Sequence, residues 1–253
     1  MSIRTSSLRT LALTGAALLA ASPVQAQAPL PTAQQVVARY VEAIGGERAI
    51  AAQQFRHVQA EMSMPAMGMT ATMEAHQARQ GNKFRMKMEM PGMGAMNMGY
   101  DGQTAWSVNP MQGPKVLEGR ELTEAMRQYD FDANMRFTHL FPKMETVGRA
   151  QVSGESCVNV KMTTATGEEV TNCFAEDDGL LIGATARANT EAGSIESTMT
   201  FTEYKEFGGL KMPTLTTVST MGQQMLLRVK NLSTAPIDPT VFALPAEVAA
   251  LKK

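Results

Sequence analysis

Eleven of the 21 methionines in this chain fall between Met62 and Met98, and most recur at every second residue. Side chains alternate faces along a strand, so this spacing lays thioethers on one surface and polar groups on the other. The run Phe84-Arg85-Met86-Lys87-Met88-Glu89-Met90 is the cleanest case: Phe84, Met86, Met88 and Met90 share one face, and Arg85, Lys87 and Glu89 share its reverse. Strand faces are usually built from β-branched and aromatic residues. Methionine is unbranched and repacks cheaply, so a face made of it suits a pocket for chains of variable shape better than a solid core. The expected apolar lining is Met62, Met64, Met67, Met69, Met73, Phe84, Met86, Met88, Met90, Met96, Met98 and Tyr100.

The N-terminus has the layout of a secretory signal peptide. Arg4 and Arg9 flank a polar start, an apolar run extends from Leu11 to Ala21, and small residues close it at Val24-Gln25-Ala26. Cleavage is expected after Ala26, giving a leader of residues 1–26 and one domain of residues 27–253. The apolar run is too short for a spanning helix, which needs about 20 residues. No cysteine lies near the junction to carry a lipid. The expected product is a soluble exported protein, expected to be a monomer. A formal net charge of −1, with no basic block or acidic tail, argues against nucleic acid or electrostatic docking on anionic lipid.

Along the chain, a helix opens the domain. Thr32 and Gln35 form a capping box, Val36, Val37, Tyr40, Val41 and Ile44 line one face, and Gly45-Gly46 ends it, with a shorter helix from Glu47 to Gln53. Strands follow at Phe55 to Met64, Met67 to Arg79, Lys83 to Met90, Gly94 to Tyr100 and Thr104 to Val108, separated by Gly and Pro turn signals. Helical spacing of Leu122, Ala125, Met126 and Tyr129 interrupts them between Glu118 and Asp130. Strand patterns then resume from Glu145 to Leu232. Sequential strands pair as an antiparallel meander by default. The fold class is therefore mainly β within α+β: a long curved antiparallel sheet whose apolar face is covered by the opening helix and by the inserted one, which carries Met126 and Tyr129 into the lining. Trp106, the only tryptophan, is expected at the mouth or core of the same space.

Cys157 and Cys173 flank two β-rich segments around a turn near Ala165 to Gly167, so folding back about that centre brings them together as a structural disulfide. Their spacing is neither a C-x-x-C redox motif nor a zinc motif. No metalloprotease, nucleophile-elbow, phosphate-loop or dinucleotide motif is present, and no catalytic residue or cofactor is assigned. The rival reading is a copper(I)- or silver-binding protein. Thioethers are soft ligands, and Met62/Met64, Met67/Met69, Met86/Met88 and Met96/Met98 each place two sulfurs about 7 Å apart on one strand face. A copper site needs two or three convergent donors rather than dispersed ones. His57 and His76 show no ligand spacing and read as structural.

Several segments carry a resemblance: Tyr40 to Gly46 (YVEAIGG), Met90 to Gly94 (MPGMG), Tyr100 to Pro114 (YDGQTAWSVNPMQGP), Phe207 to Pro213 (FGGLKMP) and Pro236 to Phe242 (PIDPTVF). They look like exported proteins of the outer-membrane lipoprotein-sorting family, similar to the LolA and LolB carriers. The resemblance implies an incomplete β-barrel covered by helices, with an apolar cavity that receives acyl chains. It also implies a periplasmic carrier of lipid or lipoprotein acyl chains, exchanging them with an outer-membrane or envelope partner.

Overall fold

The computed structural model describes residues 29–133, 137–190 and 193–252. The expected leader, residues 1–26, lies outside them. Among the described residues, thirteen strands form one antiparallel sheet: β1 (Phe55–Met64), β2 (Met69–Ala78), β3 (Lys83–Met90), β4 (Gly94–Tyr100), β5 (Ala105–Asn109), β6 (Gly113–Val116), β7 (Lys143–Val152), β8 (Glu155–Thr163), β9 (Glu169–Ala175), β10 (Leu181–Thr190), β11 (Gly193–Phe207), β12 (Leu210–Thr220) and β13 (Gln223–Ser233). Their order is β6-β5-β4-β3-β2-β1-β13-β12-β11-β10-β9-β8-β7, with β6 and β7 as free edges. The barrel is thus incomplete. Register breaks at Gln59/Ala60, Thr146/Gly148 and Leu181/Gly183 supply bulges that bend such a sheet. Glu203, within β11, has a left-handed φ of 56°, and its carbonyl accepts from Thr214 Oγ1 of β12 at 2.6 Å without a change of register.

The strand β6 had no sequence signal, because Pro114 lies within it. An edge strand tolerates proline, which has no N–H to give to a further neighbour.

The longer helices beside the sheet are α1 (Ala33–Ala43), α2 (Gly46–Ala52) and α3 (Gly119–Gln128). The capping box forms as the sequence indicates, with Gln35 N donating to Thr32 Oγ1 at 3.2 Å and Thr32 N to Gln35 Oε1 at 2.9 Å. The α1 residues Val36, Val37 and Tyr40, with Ile44 at its C-cap, pack on Val158, Val160, Met162 and Phe174 of β8 and β9. Each such aliphatic side chain contributes about 1.5–3 kcal/mol on burial. At the other wing, Leu122, Ala125, Met126 and Tyr129 of the α3 region pack on Phe84, Met98, Tyr100 and Ala105. Both helices cover the same face of the sheet, which is the inner one. No described helix is long and apolar enough to cross a membrane.

On the outer face, Cys157 and Cys173 form a disulfide with a Cα separation of 5.5 Å, covered by Ala150, Val152 and Ile182. The cysteines are diagonal rather than directly opposed: Cys157 pairs with Ala175, and Cys173 with Asn159.

Candidate ligand-binding site

Register decides what the inner face presents. Across β2, β3 and β4 the residues Met73, Met88 and Met96 are successive partners, and Met86 pairs with Met98 beside them. Across the centre, Phe201, Thr216, Leu227, Met62 and Ala71 form one row from β11 to β2. A parallel row runs Ala184, Met199, Val218, Met225 from β10 to β13, and Met64 pairs with Met69 further along the sheet. Most of these side chains are half-buried rather than sealed, because α1 and α3 cover the two wings and leave the central strands less roofed.

A cavity of about 840 Å3 opens on this face between α3, the β8–β9 turn and strands β9–β11. Val170, Asn172, Ala186, Ser197 and Met199 form its floor, Phe141 one wall, and Arg120 and Arg127 of α3 its roof. None of the residues expected from the methionine pattern lines it. Met199 connects it to the central rows.

The methionine wing divides in two. Phe84, Met86, Met98 and Tyr100 lie under α3, where Phe84 stacks on Tyr129 at 4.4 Å and Tyr129 Oη donates to Met86 Sδ at 3.3 Å. Burial raises the Tyr129 phenol above its ordinary value. Met62, Met64, Met69, Met73, Met88, Met90 and Met96 stay half-buried on the same face. Two expected positions fall elsewhere. Met67 lies in the helical turn between β1 and β2 and is 62% exposed, so it does not share a strand face with Met69. Trp106 points to the outer face, since its partners are Gly99 and Val116, and the C-terminal segment with Phe242 and Val248 lies over that side. Arg85 sits 5.9 Å over its ring and donates to the Val241 carbonyl at 3.1 Å.

Two attachments of unequal strength hold α3. At its C-terminal end, Gln77 Nε2 donates to the Tyr129 carbonyl at 3.2 Å and Arg56 Nη1 to the Phe131 carbonyl at 3.1 Å. Asn82 Oδ1 accepts from Phe131 N at 2.9 Å, and Arg79 pairs with Asp132 at 2.5 Å. The Arg56 guanidinium lies 4.1 Å from the Phe131 ring centre, and burial, with the neighbouring Arg79, lowers it to about 10. Over the cavity, α3 reaches the β8–β9 turn through Arg127 and Glu168 at 3.2 Å, both about 40% exposed, and through the more exposed Arg120 at 4.0 Å from the same carboxylate. Exposed pairs of this kind contribute about 0–1 kcal/mol. One end is a buried hinge and the other a weak latch.

The turns at one rim of the sheet are alike. Pro65–Gly68, Pro91–Gly94, Pro110–Gly113 and Met221-Gly222 close four hairpins that are consecutive in sheet order, and none contains a charge. Each carries an exposed methionine: Met67 at 62%, Met93 at 51%, Met111 at 93% and Met221 at 80%. Met221 also holds a left-handed φ of 51°, a conformation that favours Gly or Asn and costs about 1–3 kcal/mol otherwise. The β8–β9 turn bordering the cavity lies at the same rim.

No protein-family model and no curated protein matches this chain. Solved structures do. A LolA superfamily protein from Nitrosomonas europaea superposes with a TM-score of 0.57 at 14% identity, covering 85% of this chain and 99% of that one. An outer-membrane lipoprotein-sorting domain from Vibrio parahaemolyticus gives 0.55 at 10% identity over 83% and 97%. This chain has a LolA-like fold. A DUF1329 family protein from Desulfovibrio piger shares it, with a TM-score of 0.59 at 12% identity over 83% and 97%. In this LolA-like fold the sheet is curved and unclosed, and α1 and α3 pack on one of its faces.

Proposed function

We propose that this protein is an exported carrier that holds a lipid, a lipoprotein acyl chain or a similar apolar ligand on the inner face of its half-barrel. The observation that carries this reading is the continuous half-buried apolar floor, from Met199 beside the cavity through Leu227 and Met62, left open between two helical covers. A floor of this type gains about 0.8 kcal/mol per buried ligand methylene, so a few acyl carbons outweigh any single polar contact. The disulfide suits an oxidising compartment, in keeping with export. The LolA superfamily and lipoprotein-sorting names of two structural neighbours support the same class of binding protein over an enzyme. The uncharged methionine-tipped rim gives the carrier an end suited to meeting a membrane surface.

The test is saturable binding of cis-parinaric acid, a fluorescent fatty acid, to the purified chain, with Leu227→Glu as the variant. Leu227 sits mid-floor, so a buried carboxylate there should weaken binding by at least about tenfold. Absence of saturable binding to the wild-type chain, or equal binding by a folded Leu227→Glu variant, overturns the reading.

A further inference from the structure

The outer face of the β1–β2 hairpin holds a cluster unconnected with the apolar floor. His57 and His76 are direct cross-strand partners, with rings stacked 4.1 Å apart and inclined by 10°. Glu74 lies on the same face, two residues before His76. Its Oε1 is 2.7 Å from His57 Nε2 and 3.9 Å from His76 Nε2. The three donor atoms all lie within 4.8 Å of one another.

Sequence spacing conceals this group because nineteen positions separate the histidines. Folding the chain about Ala66 and Met67, the turn that the structure forms, brings them opposite each other.

We propose that His57, Glu74 and His76 bind a divalent transition-metal ion of the Zn2+ or Cu2+ class. Ligands about 2.0–2.2 Å from a tetrahedral ion lie about 3.4 Å from one another, within the spread of distances seen here. Two imidazoles and one carboxylate are the donor types such borderline ions take, and they exclude the hard, all-oxygen preference of Ca2+ or Mg2+. The cluster is half-buried and reachable from solvent, with side-chain exposures of 27%, 43% and 17% for His57, Glu74 and His76. Neighbouring cations do not occupy the carboxylate. Arg85, across from His76, is turned to Val241 and Trp106, and Lys87, across from Glu74, pairs with Glu89. A bound ion would join β1 to β2 directly behind Val58 and Ala75, on the side away from any acyl ligand.

The experiment is calorimetric titration of untagged protein with Zn2+, paired with visible absorption of the Co2+ form. The expected result is one ion per chain at micromolar or tighter affinity, with d–d bands of four-coordinate cobalt. The double variant His57→Asn/His76→Asn should lose at least a hundredfold in affinity and those bands. His139→Asn, which alters the remaining histidine, should bind as the wild type does. If the double variant fails to fold, Glu74→Gln decides, because it keeps the side-chain shape and should still lose at least tenfold. The proposal is overturned if wild-type protein takes up no stoichiometric Zn2+, or if these substitutions leave affinity unchanged. The fatty-acid assay is read independently, so failure of one proposal leaves the other standing.

Discussion

Replacing Arg56 with methionine should loosen α3 at its hinge without unfolding the sheet. Arg56 is 8% exposed and makes two hydrogen bonds, to Gln53 Oε1 at 3.0 Å and to the Phe131 carbonyl at 3.1 Å, besides lying over the Phe131 ring. Hydrogen bonds from a charged donor contribute about 1.5–3 kcal/mol each. The ring contact adds about 1–2 kcal/mol. Against this gross gain of about 4–8 kcal/mol stands the cost of burying the cation. The fall of its pKa to about 10 is equivalent to about 3 kcal/mol. The net loss in Arg56→Met is therefore about 1–5 kcal/mol, concentrated on the contact between β1 and the segment after α3. At the middle of that range, the opened hinge becomes more populated by about a hundredfold. Hydrogen exchange read by mass spectrometry should show protection lost across residues 119–133 while β8 and β9 keep theirs. Unchanged exchange in 119–133, or equal loss throughout the sheet, would refute the assignment of Arg56 as a hinge fastening.

Three further expectations follow from the same geometry. Burial pushes the Tyr40 phenol up to about 12, with the Arg56 charge opposing; the stability it contributes is complete below about pH 10 and falls as pH rises towards about 12, because only the unfolded chain ionises freely. Urea unfolding at about pH 9 and about pH 11.5 should show that Tyr40→Phe removes roughly 2 kcal/mol of the wild-type alkaline loss. Converting Met67, Met93, Met111 and Met221 together to glutamine should abolish co-flotation with phosphatidylcholine vesicles, and wild-type association should be insensitive to salt because those turns carry no charge. Replacing both Cys157 and Cys173 with alanine should lower unfolding free energy by about 3 kcal/mol, read from the urea midpoint under non-reducing conditions.

The hairpins from Phe55 to Val108 were legible because their alternation is regular and their turns are marked by Gly and Pro. The two helices that cover the inner face were legible for the same reason, from Val36/Val37/Tyr40 and Leu122/Ala125/Met126/Tyr129. What periodicity does not carry is which strands become long-range neighbours. The pairing of β1 with β13 brings Met62 to Leu227, and only that pairing reveals a floor reaching Met199. The cavity itself mixes polar Thr164, Asn172 and Ser197 with Phe141, Val170 and Met199, residues scattered over several elements and carrying no shared periodic pattern. Trp106 was misplaced because alternation gives a side but not the cover, and here the C-terminal segment encloses the outer one. His57 and His76 were read singly, although reflection about the Ala66–Met67 turn, the operation that paired the cysteines, would have joined them.

The contrast between the two fastenings of α3 makes the seating of that helix responsive to dissolved ions. Attraction between Arg127 and Glu168 acts through solvent, so its reach shrinks with a Debye length of about 8 Å at physiological ionic strength and about 3 Å at 1 M. The Arg56 and Asp132 end is shielded from that screening. Brine would thus release the helix on one side only, turning ionic strength into a control over how far the cavity beneath it opens.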